Sequence, residues 1–589
     1  MIYSRIMADE QEIVSDASAV AEGDIGEAGC PVKMGYLDDS AAQRCGRKLH
    51  IAPEGVDEET VCLMHSKDSR KQSGPLFEAF WLEFERILEA AGESEAHFEY
   101  FVFPRLDLSG RKFQATCLFD DATFTQDAVF SDATFTQDAD FIHVTFTKNV
   151  NFFDATFTQV AQFDEATFTQ DADYRGATFT EDAEFADAIF TQNAHFDSAA
   201  FTQDAHFWEA TFAQDADFSH ATFIYDADFH RATFKQGADF SEATFTQRAH
   251  FGGTIFAQEV DFRRAIFMQN AHFSEATFTR DANFTFATFT QAVDFWRTRF
   301  HGIADWRGSR FLDQAEFRGT KFNPLVEGEP STVFALAKFS KPGEIVFEDV
   351  DLSRAFFHNC DVSQVWFTSS VRWETRGNNR GLAVFEEKID LKQKYAEGLQ
   401  KDGHRDYRAV EQIYHQLKKN YDFRLDYWTA NEFHYGEMEM KRLAVPSDGR
   451  LLGLRRWLHR KLSLVALYQY ASDYGNSYGK PMLWLLGTLV LFAALLPLPG
   501  VGLMQQGARQ AETYASVWDL QKNYRENLWP EVRLVGKGAI TSVDAATFQR
   551  SAEYAPAYPW GRVLAILETL LTSSLFALFL LALRRQFRR

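Results

Sequence analysis

The chain is expected to fold as a β-solenoid followed by helices, two of which are apolar enough to enter a bilayer. Three observations predict this. An aromatic residue returns at intervals of six and five from Phe113 through Phe119, Phe124, Phe130 and Phe135 to Phe322, so the 209-residue span holds nineteen 11-residue repeats. Only Tyr174 and Trp306 replace Phe on the beat. A small residue stands two positions before most of these aromatics, as at Ala122, Ala128, Ala133, Val144 and Thr254. Beyond about Ala383 the period turns helical, and two long apolar runs follow.

An α-helix cannot carry a six–five beat, because at about 100° per residue successive aromatics would face different directions. An extended unit can. In Ala-Thr-Phe-Thr, residues two apart share a face, so Ala and Phe point inward and both Thr outward. Each strand should be about three residues long, with polar pairs such as Gln-Asp or Ser-Glu at the corners. Short strands that turn at a fixed period and stack on themselves make a solenoid.

The units Ala-Thr-Phe-Thr-Gln and Ala-Asp-Phe-Ser-Glu resemble those of pentapeptide-repeat proteins, which carry a small residue two before a central Leu or Phe. The resemblance implies a right-handed quadrilateral β-helix with four units per coil. This sequence inserts a residue in alternate units, such as Asp127 or Asp138, so each coil should hold about 22 residues. Nine or ten coils would then make a rod of about 45 Å. The resemblance runs from Phe113 to about Thr368, within a solenoid domain placed at residues 101–370.

At 589 residues the chain is too long for one domain, and a net charge of −23 argues against general nucleic-acid binding. Five cysteines, an odd number, do not read as a secreted disulfide framework. Residues 1–29 are acidic and alanine-rich without an apolar core, which predicts a disordered tail and no secretion signal.

Residues 30–100 read as a small Cys/His module with a capping helix. Cys30, Cys45, Cys62 and His65 are its candidate metal ligands, the last two on one tight turn. Three thiolates and an imidazole suit a structural zinc with no position left open for catalysis. The competing reading is four ordinary buried side chains in a reducing compartment. Segments of the form Cys…Cys-Gly-Arg…Cys-x-x-His-Ser-Lys-Asp are similar to those preceding the repeats in membrane-attached pentapeptide proteins. Phe77, Phe80, Phe84, Ile87 and Leu88 then fall at helical spacing. That helix would cover the first coil, which otherwise exposes an unpaired edge.

Residues 383–445 are expected to form a helical hairpin. Tyr407, Val410, Tyr414, Leu417 and Tyr421 share one face of its first helix, and the second runs over about 427–443. Residues 451–475, with Arg455, Arg456, Arg460 and Lys461 among leucines, predict an amphipathic helix at a membrane surface. Residues 481–504 and 563–583 are the two predicted transmembrane helices. The basic groups before the first and after the second place both termini in the cytoplasm and residues 505–562 outside. Glu568 is the one acid inside a span; it either reaches headgroup water or serves helix pairing or a pore.

Two helices with an intervening loop resemble the pore unit of two-transmembrane potassium channels, and the resemblance implies a multi-pass protein of the bacterial inner membrane. The filter departs from that pattern. The loop offers only Leu534-Val-Gly-Lys-Gly-Ala-Ile, and Tyr474-Gly-Asn-Ser-Tyr-Gly precedes the first span. No catalytic constellation is found, so no enzyme is expected. The sequence points to a membrane-anchored scaffold or sensor with lipid and an unidentified protein as partners and no nucleic acid. The alternative is an ion-channel-like protein that oligomerises through its transmembrane helices and is regulated by the solenoid.

Overall fold

Phe113, Phe135 and Phe157 lie in register on three parallel strands, which sets the coil at 22 residues. The computed structural model describes residues 29–34, 43–323, 326, 328–377, 381–392, 395, 399–401, 404–444, 452–505, 507, 510–513, 529–547 and 554–586. The tail expected over residues 1–29 lies outside them except for Gly29. The chain divides into two units, one reaching Glu374 and including Val384–Asp390, the other holding Thr375–Ala383 and everything from Leu391 onward.

In the first unit successive strands step round four faces in turn. The ladders of faces one to four are all parallel and hold 13, 11, 12 and 11 strands. They start at Glu95–His97 and reach Trp366–Phe367, so the solenoid exceeds the expected nine or ten coils and spans roughly 55 Å. The Phe beat understated it because the terminal coils use other apolar residues, such as Leu106 and Val333.

Most strands hold two residues, not three. Faces two and four use Thr-Phe, as in Thr123–Phe124, while faces one and three use Ala and the next residue, as in Ala128–Val129. On the latter faces the Phe already belongs to the corner. There the chain turns within four residues: the Ala122 N–H donates to the Phe119 carbonyl at 2.9 Å, and Asp121 between them has φ 56°. Positive φ recurs at Asp132, His143, Asp154, Glu165, Gly176 and every eleventh residue to Gly319. A side chain there costs about 1 kcal/mol. Coil-to-coil bonds from the same residue offset it, such as Asp154 N–H to the Arg175 carbonyl at 2.9 Å. At the other corners an aspartate accepts from the next coil, as Asp204 does from the Asp226 N–H at 3.0 Å.

The inward assignment of Ala and Phe is correct, but the outward assignment of Thr needs amendment. In many units the second Thr turns its hydroxyl back to the preceding coil: Thr136, Thr147 and Thr158 donate to the carbonyls of Phe113, Phe124 and Phe135, each at 2.9 Å. Inside, the rings stack from coil to coil. Phe196 and Phe218 are parallel with centroids 4.8 Å apart, and neighbouring columns meet edge-on, as Phe207 and Phe218 do at 87° and 5.3 Å. Both arrangements suit the ring quadrupole.

The two ends are covered. Helix α1 (Pro75–Ala91) buries Phe80, Phe84 and Ile87 against Phe98, Phe101 and Phe103 of the first coil, while Phe77 and Leu88 are half-buried at its margin. Arg111 grips Glu85 of α1 through both guanidinium branches at 2.6 Å. At the far end Trp373 packs on Phe367 and Phe357.

In the second unit, α2 (Tyr407–Phe423) and α3 (Tyr427–Leu443) form the expected hairpin, capped by Asp406 and Asp426. Val410, Tyr414, Leu417 and Tyr421 are buried. Gly436 admits the Tyr414 ring, since a Cβ there would lie 2.3 Å from it. Buried Glu437 receives Lys441 at 2.8 Å, Lys418 and His415 at 3.2 Å and His434 at 3.3 Å. These partners outweigh its burial and hold its carboxyl well below the usual range.

The helix expected over 451–475 is two: α4 (Leu452–Leu462) and α5 (Leu464–Ser472), separated where Ser463 caps the second by accepting from the Ala466 N–H. The Tyr474 elbow follows, with Tyr474 buried and its hydroxyl donating to Glu439 at 3.0 Å. Helix α6 (Gly479–Leu495) covers only part of the span expected over 481–504. Pro497 and Pro499 end it, and Leu503–Gln505 pairs antiparallel with Tyr554–Pro556. At 17 residues it is about 26 Å long, short of a hydrocarbon core of about 30 Å. The segment expected as an outer loop contains a further helix, α7 (Trp529–Ala546), packed on α6 and on α8 (Pro559–Gln586). A Cβ on Gly538 of α7 would fall 2.2 Å from the Ala493 carbonyl of α6, so glycine permits this approach. Between the two expected spans the structure thus places a third helix, and all three pack together. Among the described residues one helix, Pro559–Arg585, is long and apolar enough to cross a bilayer; a second qualifies only if the pair bent by 119° at residues 475–479 counts as one broken span.

Replacing Phe218 with Ala should cost about 3–5 kcal/mol in urea unfolding, whereas Ser219→Ala, one residue on and outside the core, should change stability by less than about 0.5 kcal/mol. Glu437 has a depressed folded-state pKa, so its contribution is present above the unfolded carboxylate value of about 4.3 and is lost as pH falls through the folded value. Glu437→Gln should therefore destabilise the hairpin by roughly 3 kcal/mol at neutral pH and less in acid, read as circular-dichroism melts against pH.

Candidate metal centre

Cys30 and Cys45 stand at the root of an antiparallel pair, Lys33–Met34 with Gln43–Arg44. The Cys45 N–H donates to the Val32 carbonyl at 2.8 Å and Gly46 N–H to the Cys30 carbonyl at 3.2 Å. Gly46 takes φ 62°, and Gly29 passes so close that a Cβ on it would lie 2.4 Å from the Gly46 oxygen. The second half is the turn Cys62–His65, closed by His65 N–H to the Cys62 carbonyl at 3.1 Å. A bridge between Leu49 and Cys62 draws the halves together.

All four predicted ligands converge, with ligand atoms within 4.8 Å of one another. Cys45 Sγ is 3.8 Å from Cys62 Sγ, and His65 Nδ1 is 3.3 Å from Cys30 Sγ and 3.2 Å from Cys62 Sγ. A tetrahedron with metal–sulfur bonds of about 2.3 Å and metal–nitrogen bonds of about 2.05 Å has edges of about 3.75 and 3.55 Å. The residues fit a tetrahedral cation. His65 Nε2 lies 3.3 Å from the Glu99 carbonyl, so it carries the hydrogen and turns the Nδ1 lone pair toward the thiols. Arg47 Nη1 donates to Cys45 Sγ at 3.2 Å while its Nε holds Glu83 of α1 at 2.8 Å. The Cys62 thiol, then His65 and Arg47, hold the Cys45 thiol below its usual range against its burial. Cys62 is pushed up by that pairing and by burial. With four protein ligands and no open position, the arrangement suits folding and not catalysis.

Lys71 is a neighbour that sequence reasoning missed. It is buried, donates to the Leu63 carbonyl at 3.1 Å and sits over the Phe80 ring at 5.3 Å. Burial pushes its ammonium down to about 7. Nothing in its local pattern, Ser-Arg-Lys-Gln, distinguishes it from a solvated lysine.

On face three, His195, Asp197 and Asp217 also approach one another beside a shallow acidic groove of about 520 Å³. The acids lining it serve corners, as Asp217 does by accepting from the Ser219 N–H at 2.9 Å. Glu568, expected near headgroup water or in helix pairing or a pore, is fully buried, and Ser542 of α7 hydrogen-bonds its Oε1. α7 thus covers the face of α8 that carries Glu568.

The family model for pentapeptide repeats matches residues 109–156, 152–200, 196–244 and 240–288. The four-sided solenoid is therefore built of pentapeptide repeats, in a form lengthened by one residue in every second unit. No curated protein and no solved structure matches the chain.

Protein purified from metal-replete cells should carry one divalent ion per chain, and Cys62→Ala or His65→Ala none, by elemental analysis. The variants should also become open to trypsin before Phe77 while the solenoid keeps its β signal. Metal-free wild-type protein would refute the centre.

Proposed function

We propose that the chain is a membrane-anchored, non-enzymatic scaffold whose pentapeptide-repeat solenoid offers its flat faces to a protein partner. Zinc in the Cys30–Cys45–Cys62–His65 site would brace the first coil, to which the Glu99 carbonyl already ties His65. One observation carries the anchoring: α6 and α8 leave Leu483, Trp484, Val490, Leu491, Ile566, Leu570, Phe576 and Leu581 exposed, a surface that water disfavours and acyl chains accept. The orientation follows from the basic residues flanking α6 and α8, with both termini in the cytoplasm of a bacterial inner membrane. The scaffold reading is favoured by the solenoid itself, where aspartates such as Asp204 and Asp217 serve corners and ladders.

The channel reading draws on less. Leu534–Ile540, the segment that would have to form a filter, is α-helical, so its carbonyls are committed to the helix. Glu568 already has a partner within the chain, Ser542 of α7.

The full-length chain should remain in the membrane pellet through high-salt and alkaline washes, and release by alkali would overturn the anchoring. For orientation, Gln510 is an exposed position between the helices. A Gln510→Cys variant should react with an impermeant maleimide on intact cells while the native cysteines stay protected. Reaction only after lysis would refute the proposed orientation.

A further inference from the structure

Ser542 Oγ lies within hydrogen-bond reach of two acceptors, Glu568 Oε1 and, at 3.2 Å, the Leu489 carbonyl of α6. A hydroxyl has one proton to give. If Glu568 were a carboxylate, these two acceptors would compete for it, and the buried Oε2, which has no partner, would hold charge with nothing to answer it. The side chain is fully buried among α6, α7 and α8, where an unpaired ion is costly. A proton on Glu568 ends the competition and leaves Oε2 an uncharged carbonyl oxygen. Its O–H then donates to Ser542 Oγ, and the Ser542 O–H donates to the Leu489 carbonyl, so one relay spans all three helices.

The charged groups of the surrounding elements are turned elsewhere. On α6, Lys480 pairs with Asp473 at 3.2 Å. On α7, Lys537 holds Glu512 and faces the Tyr554 ring. Asp544, two residues from Ser542, points about 200° round the helix, and Arg533 is more than two turns away. On α8, Arg562 stands about 9 Å along the axis from Glu568, while Arg584 and Arg585 are at its far end, the latter donating to the Tyr474 carbonyl at 2.6 Å.

We propose that Glu568 is a proton-binding site: it is held as the neutral acid at neutral pH, and the bound proton latches α7 onto α6 and α8. The argument concerns packing within one chain and does not rest on the membrane reading. Loss of the proton would leave a charged oxygen in the interface and loosen α7, whose other ties to the pair are the close approach at Gly538 and the Thr569 hydroxyl donating to the Ala545 carbonyl at 3.1 Å.

The test uses the full chain in detergent. The infrared difference spectrum of wild type minus Glu568→Gln should show a carboxylic-acid C=O band from about pH 6 to about pH 8. A carboxylate band in its place would overturn the proposal. Hydrogen exchange over Trp529–Ala546, compared between the two proteins at each pH, should match at low pH and become at least about tenfold faster in wild type as pH rises. Equal exchange at every pH would refute the latch. Should Glu568→Gln fail to fold, Ser542→Ala decides the matter: it must shift the acid band of the wild type, and an unmoved band rejects the relay.

Discussion

The spacing between hydrogen-bonded strands, about 4.8 Å, governs the first unit. Stacked phenyl rings at van der Waals contact would sit closer than that if they lay face to face. The rings here keep the backbone's interval, with centroids 4.8 Å apart for Phe196 and Phe218 and planes parallel. Each ring is therefore tilted and slipped along its neighbour, which is the offset geometry aromatic pairs prefer. Backbone ladder and aromatic column share one period, and neither strains the other. The corners inherit that period too: the left-handed residue at every eleventh position is tolerable because its N–H meets a carbonyl of the neighbouring coil.

A stack of this kind has no natural end. Each coil satisfies its neighbour, so the first and last coils are left with bare ring faces and unmet backbone groups. The chain answers with different chemistry at each end: α1 and the cysteine-rich knot at one, Trp373 at the other. The knot has little apolar core of its own, which is why the convergence of its four ligand side chains matters to its order. Arg47 joins it to α1 through Glu83, so the Cys/His cluster and the cap form one plug.

The solenoid was legible because its signal is written many times over. Phe at a six–five beat excludes a helix, and Ala two residues earlier selects the inward face. The return of the Thr hydroxyls was hidden, since an outward threonine and one bonded to the previous coil look alike in one dimension. Cys62 and His65 could be read as a pair from their spacing, whereas the approach of Cys30 to Cys45 depends on Gly29 and Gly46 passing each other, a contact no local pattern announces. The helical region was read least well. Hydropathy found the apolar runs near 482 and 563, but α7 is only moderately apolar and carries Gly536 and Gly538, so it resembled a loop. Its place beside Glu568 follows from packing among three helices distant in sequence.

The 22-residue coil also restricts how such a chain can change length. Removing eleven residues would keep every Phe on the beat and every corner intact, yet would turn all downstream coils by half a revolution. Face one would continue as face three, and face two as face four. Core packing would hardly register the difference, while any surface assembled from several coils would be cut in two. Lengthening or shortening that preserves a face must come in whole coils, and the ladder between Phe311 and Phe339, 28 residues apart, shows the other tolerated solution: a longer connection with the stack left in phase.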